Sequence, residues 1–258
     1  MRLYVRYLSI LLRSQIQYKG SFLLTVIGQL LGTGCAFLSI YFLMNRFHQV
    51  KDFTLPQVLL CFSVVLMAFS LAECFVRGFD TFPTILGNGE FDRMLVRPRN
   101  LMFQVLAAKM ELSRIGRFLP SVAMLAYGVT GSGIHWTWDK VGVVVLMIAC
   151  GALLFSGLFV IYAALSFFTT QGLEFMNIFT DGGREFGQYP LSVYGEGVLK
   201  FLTYVVPLAL VQYYPLLYLV GEKENPLYGL LPLAALLFLL PCALIWRIGL
   251  RHYRSTGS

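Results

Sequence analysis

Few residues of this 258-residue chain combine types and spacing that could do chemistry. One group is GEFDRMLVRPRN, residues 89–100, where five charged side chains and a proline stand between apolar stretches. Another is Glu174, Asp181, Arg184 and Glu185, set in a second largely apolar region. Neither has the spacing of a catalytic constellation. His48, His135 and His252 are scattered, and no H-E-x-x-H occurs to hold zinc on a helix face. Cys35, Cys61, Cys74, Cys150 and Cys242 fall in or beside apolar runs, form no C-x-x-C pair and are odd in number. That argues against a disulfide framework or zinc site and for small buried hydrophobes. There is no G-x-x-x-x-G-K-[ST], and no Gly-Lys dipeptide at all, so the chain has no loop to cradle a nucleotide's phosphates. The sequence predicts no catalytic residue and no metal ligand. Its charged groups are left to pair, to bind or to line a path.

The elements that must position them are membrane helices. The chain is 57% hydrophobic and 13% charged, with a mean hydropathy of +0.71, against roughly 25% charged residues in soluble domains. Several apolar runs approach the roughly 20 residues needed to cross a bilayer. The net charge of +7 then reflects cytoplasmic lysine and arginine and anionic lipid heads, not nucleic acid. The apolar run Phe22–Met44 is too long for a signal-peptide core and has no A-x-A site after it.

Residues 2–19 place Arg2, Arg6, Ser9, Arg13 and Gln17 on one stripe and Leu3, Tyr7 and Ile10 opposite, which suits an interfacial helix; the alternative is a simple flank of span 1. Spans are expected at about 22–44, 57–76, 141–163 and 227–246, with a long helical run over 101–130 whose first half projects from the bilayer. There Lys109, Glu111, Arg114 and Arg117 are expected to form a solvated face. Gly28 and Gly32 form a G-x-x-x-G pair that would permit close packing of span 1. Residues 166–200 read either as a loop before a span at 201–220, or as a polar fifth span over 166–186 followed by a Pro-broken re-entrant segment. Both readings give six spans. Basic residues cluster before span 1, between spans 2 and 3 (Arg77, Arg93, Arg97, Arg99) and after the last span (Arg247, Arg251, Arg254), which places both termini and 77–117 in the cytoplasm.

Within the charged segment, Asn88 is a candidate N-cap. Glu90 and Asp92 lie in the first turn and Arg93 and Arg97 near the end, as the helix dipole favours. Phe91, Met94 and Leu95 share one face. A two-turn helix is unstable alone in water, so that face must pack on the protein's own helix ends, on lipid, or in the groove of a cytosolic partner.

GEFDRMLVRP at 89–98 and QYPLSVYGEGVLKFLTYVVPLALVQYYPLLYLVG at 188–221, in that order, resemble two patterns of bacterial ABC-2 permeases, the membrane subunits of type 2 ABC exporters. The resemblance covers most of the chain. It implies an all-α membrane protein in a single permease domain, 1–258, of six transmembrane helices, with an interfacial helix at 2–19, a cytoplasmic coupling helix at 84–97 and extracellular re-entrant helices at 190–220 before span 6. It favours 166–186 as span 5, although Glu174 to Glu185 is polar for a span. It further implies that Glu90, Phe91, Asp92, Arg93, Met94, Leu95 and Arg97 dock on a separate ABC ATPase. Glu174, Asp181, Arg184, Glu185, Tyr213 and Tyr214 are the candidates for a translocation path. No cofactor is expected in this chain, with ATP and Mg on the partner ATPase. A second permease, identical or homologous, would complete the path in a bacterial inner membrane. An ATP-independent secondary transporter or channel is the alternative; a membrane enzyme lacks its constellation.

Overall fold

The computed structural model describes residues 9–10, 13–15, 17–47, 51, 53–169, 173–223 and 225–253, apart from the side chains of residues 173 and 174. Most of the proposed interfacial helix at 2–19 lies outside them. In chain order the helices are α1 (Lys19–Phe47), α2 (Leu55–Asp80), α3 (Phe82–Gly87), α4 (Glu90–Leu95), α5 (Leu101–Leu106), α6 (Ile115–Gly131), α7 (Trp138–Leu165), α8 (Asn177–Phe186), α9 (Glu196–Tyr204), α10 (Leu208–Val211), α11 (Tyr213–Val220), α12 (Leu227–Ala235) and α13 (Leu239–His252). No strand occurs among the described residues.

Among the described residues, four stretches are long and apolar enough to cross a bilayer: α1, α2 running on through α3, α7, and α12 running on into α13. A bent pair, α9 with α10 and α11, turns through 85° and makes a fifth if counted as one span. The α6 helix has 17 residues, at the lower limit of the roughly 17–25 that span. The α8 helix has 10 and rises only about 15 Å, half of a hydrocarbon core of about 30 Å. The described residues of 166–186 therefore do not form one long apolar helix: they give a turn after α7, a 3-10 turn at Leu173–Met176 and α8.

The α2 helix is the centre of the bundle. Thr54 and Gln57 form a capping box at its start, with the Thr54 amide donating to Gln57 Oε1 at 2.9 Å. From Val58 to Ser70 every residue is buried. On one side α2 packs against α6, on another against α7, and α7 in turn carries α12 and α13. Lipid is as apolar as these side chains, so close packing, not transfer from water, keeps α2 inside. The α1 helix is peripheral, with only Thr33, Ile40 and Met44 buried. Space around a Cβ at Gly28 or Gly32 is open, so this G-x-x-x-G pair makes no close contact among the described residues.

The expected helix over 101–130 is broken. The α5 helix ends at Leu106, residues 107–111 form a turn and an extended link, and a 3-10 turn at Leu112–Arg114 leads into α6. The break is held by side chains: Gln15 donates to the Met110 carbonyl, and the Leu112 amide donates to Gln15 Oε1 at 3.0 Å.

Two polar contacts mark one end of the bundle. Lys51 reaches the Ser192 carbonyl, and Lys140 Nζ donates to the Leu219 carbonyl at 3.2 Å. The charged segment lies at the other end, with the close of α7 and of α13.

Candidate functional site

The charged segment follows α3 and folds into α4, the two short helices being joined at Gly89, whose φ of 71° is the left-handed conformation that glycine adopts without a Cβ penalty. Asn88 closes α3 and does not open α4, so the expected N-cap falls to Gly89. Glu90 and Asp92 occupy the first turn of α4 and Arg93 its last. The turn that follows is fastened by Gln104, whose Nε2 donates to the carbonyls of Met94 at 3.0 Å and Arg99 at 3.2 Å.

The apolar face of α4 divides between inside and outside. Phe91 is fully buried, its ring meeting Phe82 at 5.2 Å, Phe167 at 5.5 Å and Tyr253 at 4.9 Å, all edge-on. Trp246 lies 5.3 Å from Phe82 and 5.4 Å from Phe167. Edge-to-face pairs of this kind contribute about 0.5–1.5 kcal/mol each beyond burial. The Tyr253 hydroxyl donates to Asp92 Oδ1 at 2.9 Å. Five rings thus tie α3, α4, the exit of α7 and the end of α13 together. Met94 is half-buried against this core, whereas Leu95 is 43% exposed and Val96 83% exposed, with Glu90, Arg93, Arg97 and Arg99 around them. A partner could touch Leu95 and Val96 but not Phe91.

Above this node stands a charged network. Glu73, with a side chain only 2% exposed, meets Arg117 at 2.6 Å, Arg77 at 3.0 Å and Arg114 at 3.6 Å. Arg77 also meets Asp80 at 3.1 Å, and Glu111 meets Arg114 at 2.7 Å and Lys109 at 3.0 Å. The expected Glu73–Arg77 pair is present. Glu111, Arg114 and Arg117 are not the expected solvated face: Arg114 and Arg117 turn inward to Glu73, and Glu111 to Arg77 and Arg114. Burial alone would raise the Glu111 carboxyl, but the hydrogen bond from Lys109 and the charges of Arg114 and Arg77 bring it below its ordinary value.

The α8 helix positions the second charged group. Arg184 stacks over the Phe69 ring at 5.3 Å, and Arg117 approaches the same ring at 5.9 Å. Phe69 lies mid-way along α2, so both guanidiniums reach bilayer depth, where ionisable groups are costly unless they face water or one another. Arg184 pairs with Glu185 and, at 3.6 Å, with Asp181. Arg117, Arg184, Glu185 and Gln188 join Gln29 and Thr33 around a polar cleft of about 170 Å³ between α1, α2, α6 and α8. Asp181 lies outside that lining; Glu174 stands in the 3-10 turn at 173–176, its side chain beyond what is described. Tyr213 and Tyr214 pack on the bundle's core with rings 5.4 Å apart, and neither lines the cleft.

On its other face α8 borders a cavity of about 320 Å³ bounded by α7, α9 and α10 and lined by carbon almost throughout, with Leu158, Phe179, Phe186 and Leu202 among its walls. Beyond α8 the chain turns at Gly187, where a Cβ would strike Val65. Gln212, fully buried, spans this turn by donating from Nε2 to the carbonyls of Gly187 at 3.0 Å and Tyr189 at 3.1 Å.

The family model of ABC-2 family transporter proteins matches residues 30–257. The chain belongs to this family. No curated protein and no solved structure matches it. ABC-2 membership makes it a transport permease of a membrane, a component that usually works with ATPase subunits and is not itself catalytic. Within this ABC-2 chain the structure brings Arg184 and Glu185 together at one cleft and keeps Tyr213 and Tyr214 apart from it. Sequence reasoning missed Gln212, a lone polar residue in an apolar run, and the reach of Arg117 to Glu73. The one available signal was polarity itself: a glutamine or arginine amid aliphatic residues needs a partner.

Proposed function

We propose that this chain is the membrane-spanning subunit of an ATP-driven exporter in a bacterial inner membrane, with both termini cytoplasmic, and that it is coupled to separate nucleotide-binding subunits through α4. A second permease, identical or homologous, completes the path, and ATP and Mg belong to the ATPase. In this reading α6, and α8 with the bent segment after it, bring the spans to six. The observation that carries the proposal is the division of α4: Phe91 anchors the helix inside, while Leu95 and Val96 face outward between Arg93, Arg97 and Arg99. A short apolar step ringed by charges is the pattern of a docking helix, in which the apolar pair supplies contact and the charges set register. Glu90 and Arg93, exposed on either side of the anchored ring, extend that surface.

Co-purification with the ATPase encoded beside this permease tests it. Replacing Leu95 and Val96 by Asp should abolish association while the permease stays folded. Retained association, or transport that proceeds without ATP, would return the chain to the secondary-transporter alternative.

A further inference from the structure

The α8 helix separates two unlike walls. Asp181, Arg184 and Glu185 lie on one face, and Ile178, Phe179 and Phe186 on the other. The second face closes a cavity of about 320 Å³ with almost no polar surface. Water does not fill such a space, because it finds no partners there. The volume lies in the range of small-molecule sites, roughly 300–1,000 Å³. Its rim is at Ile178, Gly197 and Phe201, all exposed in this chain. An apolar lining with an exposed rim suits hydrocarbon.

We propose that this cavity binds the hydrocarbon chain of an amphiphile that the permease exports; the cargo part of the proposal rests on the export reading above. The head group has its own wall. Arg117, Arg184, Glu185 and Gln188 offer both signs of charge and amide groups across the same ten-residue helix. The two faces of α8 thus offer an apolar cavity suited to a chain and a charged cleft suited to a head group. Phe155 links the two sides: it lines the cavity and packs edge-on against Phe69, the ring over which Arg184 lies.

The full-length permease in lipid nanodiscs is photolabelled with a 16-carbon alkyl phosphocholine carrying a diazirine near the chain end. Adducts are expected on peptides containing Leu158, Phe179 and Leu202, and should fall at least about tenfold in Leu158→Trp, which fills the cavity. Gly197→Trp is a second variant: it stands at the rim with open space around its Cβ, so it closes the mouth without disturbing the core. Labelling spread over the exposed face of α1, or left unchanged by both tryptophans in folded protein, overturns the site. A second arm separates cargo from resident lipid. With the ATPase bound and trapped in its ATP state, chain adducts should drop several-fold; unchanged adducts make the occupant a resident lipid and overturn the cargo assignment. The first arm needs no ATPase, so failure of the export reading and failure of the cavity give different results.

Discussion

The Tyr253 hydroxyl donates a 2.9 Å hydrogen bond to Asp92 Oδ1, so the segment following the last helix is fastened to α4. The tyrosine ring also stacks edge-on against Phe91 at 4.9 Å. The charged segment is therefore part of a rigid node with α13 and the exit of α7, and a push on α4 reaches both. From Phe167 the chain runs on toward α8, the helix that carries both the polar cleft and the apolar cavity. A docking surface and a candidate path are joined by one aromatic cluster.

Tyr253→Phe should separate the hydrogen bond from the ring packing. The expected loss is about 1 kcal/mol, read as a lower thermal midpoint in detergent, with the aromatic packing intact. Burial, and then the hydrogen bond to Asp92 and its charge, raise the Tyr253 hydroxyl above its ordinary value of 10.0. A raised folded value means the contribution is complete below pH 10 and is lost as pH climbs through the folded value. The difference between variant and parent should hold from pH 7 to 9 and close only in strong alkali.

Phe91→Ala and Leu95→Ala should part company. Phe91 is enclosed by three rings, so its truncation leaves a cavity and should cost about 3–5 kcal/mol. Leu95 is 43% exposed, and its truncation should change stability by less than about 0.5 kcal/mol while weakening ATPase association. Measuring melting and co-purification on both variants checks this. A stable Phe91→Ala protein would show that the node does not hold α4.

Glu111 makes an acid-side prediction. Its carboxyl is held below the ordinary 4.5 by Lys109, Arg114 and Arg77 acting against the cost of burial. A depressed folded value contributes stability above pH 4.5 that is lost as pH falls through the lower folded value. Glu111→Gln should therefore cost about 1–3 kcal/mol at pH 7 and nothing in strong acid, where the parent carboxyl is protonated too. Acid unfolding curves of the two proteins should converge; parallel curves would mean that the pairs contribute nothing.

Much of the fold was legible because hydropathy and basic residues report directly on membrane helices: the expected 22–44, 57–76, 141–163 and 227–246 correspond to α1, α2, α7 and the α12–α13 stretch. What the one-dimensional pattern could not show was depth. The spacing of Phe91, Met94 and Leu95 leaves open what their face packs on; Phe82 from the preceding helix, with Phe167 and Tyr253 from far along the chain, buries Phe91. Arg114 and Arg117 have the composition of a solvated face, yet the break at 107–111 turns them toward Glu73. Gln15 and Gln212 show locally only that they are polar, because the backbone groups each satisfies lie far along the chain. Helices follow from local periodicity; a site assembled from several of them does not.

Glu73 supplies the last prediction. Three arginines converge on it at 2.6 to 3.6 Å, and its side chain is 2% exposed. Removing one partner from a buried ionic cluster leaves the others uncompensated, which costs about 3–5 kcal/mol. Glu73→Gln should therefore be strongly destabilising even though its shape is unchanged. Arg117→Met alone should also destabilise, since it leaves Glu73 short of its nearest cation. The double variant should be better than the sum of the two, because each change removes the charge that the other strands; contacting residues show coupling of about 0.5–3 kcal/mol. Thermal unfolding of the four proteins in one detergent closes the cycle. Strict additivity would mean that Arg77 and Arg114 satisfy Glu73 by themselves, and that Arg117 belongs to the polar cleft alone.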